Sequence, residues 1–216
     1  MNRLRIIGII LGCLIVGLIV FVSVFKSGPG EPSYQGRTLS RWLQDYDDAS
    51  TPGTTAILNG YEVSKASEAA VVAIGTNAIP TLLEWLKAED RPVRVLVGSL
   101  LLPRSYRDAH DKHCMARWSF NFLGDRARSA APALAELTKH KNIEIRECAL
   151  SCLVKIHADR EIFLPVLNRL IHDPNPIIRD QATSIKAMYL RIEAEKNGIP
   201  IAPSGINSGT NNIQVR

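Results

Sequence analysis

The first apolar block of this chain has no polar face. Residues 6–25 are Ile, Leu, Val, Phe, Gly, Cys and Ser only, about twenty uncharged residues, the length that crosses a hydrocarbon core of ~30 Å. A core helix of a soluble domain would show a polar side, so the pattern predicts a transmembrane helix over 6–25. Beyond it the apolar positions become periodic. Leu39, Trp42, Leu43 and Tyr46 stand at i, i+3, i+4 and i+7, one face of a helix with Thr38 or Ser40 as N-cap. A polar loop is expected over 47–60. An alanine-rich helix over 62–74 then ends at Gly75, with Asn77 as the cap of the next helix.

Three stretches follow one rule. Pro80, Pro132 and Pro165 each open a leucine-rich run, and each is followed fourteen residues later by an arginine: Arg94, Arg146 and Arg179. A β-branched residue (Val93, Ile145, Ile178) precedes each arginine, and Asp90, Asn142 or Asn175 stands four residues before it. Those side chains are expected to cap the second helix of each pair. The apolar stripes are Val93, Leu96, Val97 and Leu100, then Ile145, Cys148, Ala149, Cys152, Leu153 and Ile156, then Ile178, Ala182, Ile185, Tyr189 and Ile192. All have the helical period. Self-similarity of this kind is the signature of stacked helical repeats. Pro80 is expected in a first turn, where its missing N–H costs little, and Pro132 and Pro165 deeper, bending their helices. The first unit is longer than the second by an insertion at 103–123, a loop followed by an extra helix from Ala109 to Leu123 bearing Trp118, Phe120 and Phe122.

The flanks set the organisation. Arg3 and Arg5 precede the span and Lys26 follows it, which places residues 1–5 in the cytoplasm and the rest outside. A cleaved signal peptide would have a shorter apolar run and a small-residue cleavage site. Acylation at Cys13 would be followed by polar chain, whereas the run stays apolar. Residues 26–37 read as a linker and 38–61 as an N-terminal capping helix and loop. The repeat domain is expected over 62–196, with Asn197 and Gly198 closing its last helix and a disordered tail over 197–216. The net charge of +5 is ordinary for a soluble surface, so nucleic acid is not expected as a partner.

The paired helices, the proline of the first helix and the Val/Ile-Arg pair of the second resemble HEAT repeats, an α-solenoid class related to armadillo repeats. With the single N-terminal span, the chain is similar to bacterial HEAT-repeat proteins of the Verrucomicrobia type. The resemblance implies an all-α protein: a short right-handed α-solenoid of HEAT-like pairs that binds a protein partner, with no cofactor. It implies an inner-membrane location, with the repeat domain periplasmic. It also implies an aspartate between the helices that bonds the repeat arginine. Asp173 holds that position, whereas Ala88 and His140 occupy it in the other units.

Candidate chemistry is sparse. His110, His113 and Cys114 are the one local group of metal-ligand types, without the second pair that structural zinc sites supply. Arg104, Arg107, Lys112, Arg117, Arg126 and Arg128 form a basic stretch interleaved with aromatics, which an acidic partner or anionic surface would suit. The 103–128 region therefore carries the alternative reading of an anion-binding or lyase-type, cofactor-handling HEAT-like protein. No nucleophile elbow, phosphate loop or zinc-protease motif is present, so no catalytic residue is assigned. Cys148 and Cys152 lie on an apolar stripe and are expected to fill core.

Overall fold

The computed structural model describes residue 17 and residues 30–50, 57–90 and 109–197, and these are almost entirely helical. The span at 6–25, Arg94 and its stripe, Arg104, Arg107 and the tail beyond Asn197 lie outside the described residues. Internal packing divides the chain into Met1–Phe163 and Leu164–Arg216, a division that falls inside the expected repeat domain, one residue before Pro165.

Residues 33–37, expected as linker, form a hairpin in which β1 (Ser33–Tyr34) pairs antiparallel with β2 (Arg37–Thr38). The turn residues Gln35 and Gly36 have φ of 50° and 73°, the double left-handed pair of a two-residue hairpin turn, which Gly36 adopts without a Cβ clash. The hairpin holds the start of α1 (Leu39–Ser50). Pro32 O accepts the Leu39 N–H at 2.9 Å, and the Glu31 carboxylate accepts both the Ser40 N–H and, at 3.0 Å, its hydroxyl. Thr38 is the N-cap, its Oγ1 accepting from Arg41 N–H at 3.4 Å. Trp42 Nε1–H donates to Tyr34 O at 3.2 Å, and the Arg37 guanidinium lies 4.2 Å from the centre of the Trp42 ring and pairs with Asp45. These bonds link residues eight apart that the helical period of α1 does not relate.

The expected loop at 47–60 is shorter than predicted. Asp47 and Asp48 occupy the exposed side of the last turns of α1, and α2 (Ile57–Ile74) starts before Gly60, which a helix tolerates at about 1 kcal/mol. α1 packs on α2, burying Leu39, Leu43, Ala70 and Val71 completely. At Gly75 the chain turns left-handed, with φ of 63°, runs through a 3-10 turn to Ala78 and enters α3 (Ile79–Leu86) with Pro80 in the first turn. Ala78 holds the N-cap position and no side chain caps this helix, so the expected cap from Asn77 is absent. Tyr61–Leu86, which contains this break, is by length and composition alone long and apolar enough to cross a membrane. Ile74, Ala78, Leu82 and Leu86 of this stretch are buried.

The same device recurs. α4 (Ala109–Leu123) ends at Gly124, φ 50°, and a 3-10 stretch to Ala130 leads into α5 (Ala131–Leu137). Pro132 therefore sits in a first turn and not deeper, because the left-handed glycine has already turned the chain. α6 (Ile143–Lys155) follows from the cap Asn142, whose Oδ1 accepts Glu144 N–H at 2.9 Å. Its predicted stripe, from Ile145 to Ile156, is buried at every position. α4 packs on α2, α3 and α6, and α5 packs on α6, so the inserted helix is central to the unit's core. Phe120, Met115, Leu134 and Leu153 are among its completely buried side chains.

Pro165 alone lies inside its helix, α7 (Arg160–Leu170). In the second unit, α8 (Pro176–Lys196) starts at Asn175, whose Oδ1 accepts from Ile177 N–H at 2.9 Å and Ile178 N–H at 3.4 Å. It ends at Asn197, as predicted. Its stripe is buried only at Ile178 and Ala182; Ile185 and Tyr189 are half-buried, and Ile192 is 53% exposed.

Candidate binding surface at the inserted helix

The two described repeat arginines act on main chain. Arg146 Nη1 donates to His140 O and Lys141 O, both at 3.0 Å, and Arg179 Nη1 donates to Asp173 O at 2.8 Å and Pro174 O at 3.0 Å. In each case the guanidinium gathers the two carbonyls that precede the capping asparagine. The aspartate position serves a second bond: Asp173 Oδ1 accepts Asn175 N–H at 2.9 Å, and His140 Nδ1 accepts Asn142 N–H at 3.1 Å. Because the donor is a backbone N–H, His140 must carry its proton on Nε2. His140, a departure in sequence, thus reproduces the local bond that Asp173 makes.

The Pro80 unit differs. Ala88, at the same position, gives its carbonyl to His113, whose Nε2–H donates at 3.1 Å across 25 residues. Asp90 Oδ1 accepts the N–H of Ala109, the first residue of α4, at 2.9 Å. Asp90 therefore caps a helix that begins 19 residues later. Together these bonds clasp the end of α3 to the start of α4.

Of the possible metal ligands, His113 is 2% exposed and turned toward Ala88, while His110 Nε2 lies 3.6 Å from Cys114 Sγ. Among the described residues no group of three His, Cys, Asp or Glu side chains could hold a metal ion. Burial pushes the Cys148 thiol up to about 11 and that of Cys152 further, so both remain protonated, as core filler would.

Of the candidate basic residues, Lys112, Arg117, Arg126 and Arg128 are described. Arg117 and Arg126 are exposed, and Lys112 is half-buried. Arg128, exposed like Arg117 and Arg126, lies 3.3 Å from Asp125 and 4.0 Å from Asp159. The aromatics turn inward: Tyr46 of α1 meets Trp118 at 5.2 Å and Phe122 at 5.1 Å, ring centre to ring centre, and Phe120 is completely buried. They are packing, not a stacking platform.

Asp125 marks a junction that the sequence did not reveal. His157 occupies the left-handed residue after α6, with φ of 48°, a place that glycine usually takes. Ala158 N–H donates to Leu153 O at 3.1 Å and His157 N–H to Val154 O at 3.2 Å, closing the helix end. The ring offsets the conformational cost through Nδ1–H, which donates to Asp125 Oδ1 at 2.6 Å. That bond, with Arg128 beside it, holds the Asp125 carboxyl below its usual range. Comparison of the chain with protein-family models, curated proteins and solved structures finds no match.

Proposed function

We propose that this chain is a membrane-anchored scaffold, held by the 6–25 helix, whose HEAT-like pairs form a short right-handed solenoid that binds a protein partner outside the cytoplasm. One observation carries the reading: the geometry of helix, arginine-bound carbonyl pair and asparagine-capped helix occurs twice, at 140–146 and 173–179, with the same atoms in the same roles. Such modules build surface by repetition. Among the described residues of the basic stretch, Arg117 and Arg126 are exposed and available to a partner.

Protease added to spheroplasts tests the topology. The chain beyond Lys26 is expected to be digested while a cytoplasmic marker survives. Protection until the cells are lysed would reverse the orientation and remove the extracytoplasmic role.

A further inference from the structure

The apolar stripe of α8 outruns its burial. Ile178, Ala182, Ile185, Tyr189 and Ile192 follow one another at four, three, four and three residues, the heptad spacing of a seam that meets another helix along its length. Ile178 and Ala182 are buried, Ile185 and Tyr189 are half-buried, and Ile192 is 53% exposed beside Met188, which is equally exposed. The seam is therefore covered in its first heptad and open in its second. Water on apolar surface is unfavourable in proportion to its area, so the open heptad suits a second helix of the same spacing.

The flanking charges specify which helix. With Ile178, Ile185 and Ile192 at d positions and Ala182 and Tyr189 at a positions, Lys186 and Glu193 fall on successive e positions, and Gln181 and Met188 on successive g positions. These flanks set the partner and the orientation of paired helices. Parallel copies of α8 set g against e, which opposes Gln181 to Lys186 and Met188 to Glu193 and matches no charge. Antiparallel copies set e against e. Lys186 of each copy then meets Glu193 of the other, with Tyr189 and Ile192 alternating across the seam. Opposite charges seven residues apart on one flank are thus self-complementary under a two-fold axis, the symmetry of most dimers. Arg191 and Glu195, the next opposite pair, are already joined within the helix at 3.2 Å.

We infer that the second half of α8 is a contact between two copies of this chain, paired antiparallel through Tyr189 and Ile192 and held in register by Lys186 and Glu193. The contact does not depend on the partner assigned to Arg117 and Arg126, since two copies of the chain suffice to form it.

The full chain in nonionic detergent, its protein mass followed by light scattering as concentration is raised, is expected to pass from one chain to two. Lys186→Glu and Glu193→Lys are each expected to weaken that dimer about tenfold, because the symmetry sets like charges together twice, at up to about 1 kcal/mol apiece. The double variant, Lys186→Glu with Glu193→Lys, restores the match and is expected to dimerise as wild type does. Its recovery also shows that the exchanged side chains leave α8 folded. Ile192→Asp is expected to leave single chains. A wild type that stays one chain at every concentration overturns the inference. So does a dimer that Ile192→Asp and the single reversals leave intact, because the contact then lies elsewhere in the chain. Single reversals that weaken the dimer without recovery in the double variant overturn it as well, since the two charges then do not face each other.

Discussion

Phe120→Ala is expected to lower the stability of the first unit by about 3–5 kcal/mol, the cost of truncating a fully buried aromatic. Phe120 is 0% exposed on the helix that lengthens the first repeat. That helix packs on α2, α3 and α6, so the surrounding side chains have little freedom to collapse into the void. Arg126→Ala, on the exposed surface just beyond the same helix, is expected to change stability by less than about 0.5 kcal/mol. Chemical denaturation followed by far-ultraviolet circular dichroism separates the two. A Phe120 variant as stable as wild type would mean that the insertion is an accessory and not part of the core.

Arg146→Ala is expected to cost about 1.5–3 kcal/mol, the range for hydrogen bonds to charged groups. Two carbonyls, His140 O and Lys141 O, lose a shared donor at the end of α5. Arg146→Lys is expected to recover only part of the loss, since a compact ammonium lacks the planar fork of a guanidinium. If Asn142 and its partner hold the turn unaided, both arginine variants will denature with wild type.

Much of this fold was legible because its signals are local. The stripe from Ile145 to Ile156, the caps Asn142 and Asn175 and the bounds of the Ala109–Leu123 helix rest on spacings of a few residues, and the structure shows each of them. What was not legible joins residues far apart. The Asp90 bond to Ala109, the His113 bond to Ala88 and the His157 bond to Asp125 span 19, 25 and 32 residues, and no periodicity relates their ends. The hairpin before α1 was hidden for another reason. Residues 26–37 read as a linker, and turn chemistry alone does not distinguish a linker from a two-residue hairpin. His140 was read as a departure because residue identity was compared, whereas the bond made there requires only an acceptor for the Asn142 N–H.

The candidate surface was legible as composition but not as geometry. Charge counting placed Arg128 with Arg117 and Arg126, yet Asp125 and Asp159 lie within 4.0 Å of it. The aromatics that suggested a platform are packed against Tyr46.

The scaffold reading is tested most directly by a photo-crosslinking residue placed at Arg117 or Arg126 in the full chain, irradiated in spheroplasts. The account predicts a discrete protein adduct, saturable and competed away by added purified chain, at one or both positions. Adducts at neither position, or adducts formed only after the cells are opened, would contradict it.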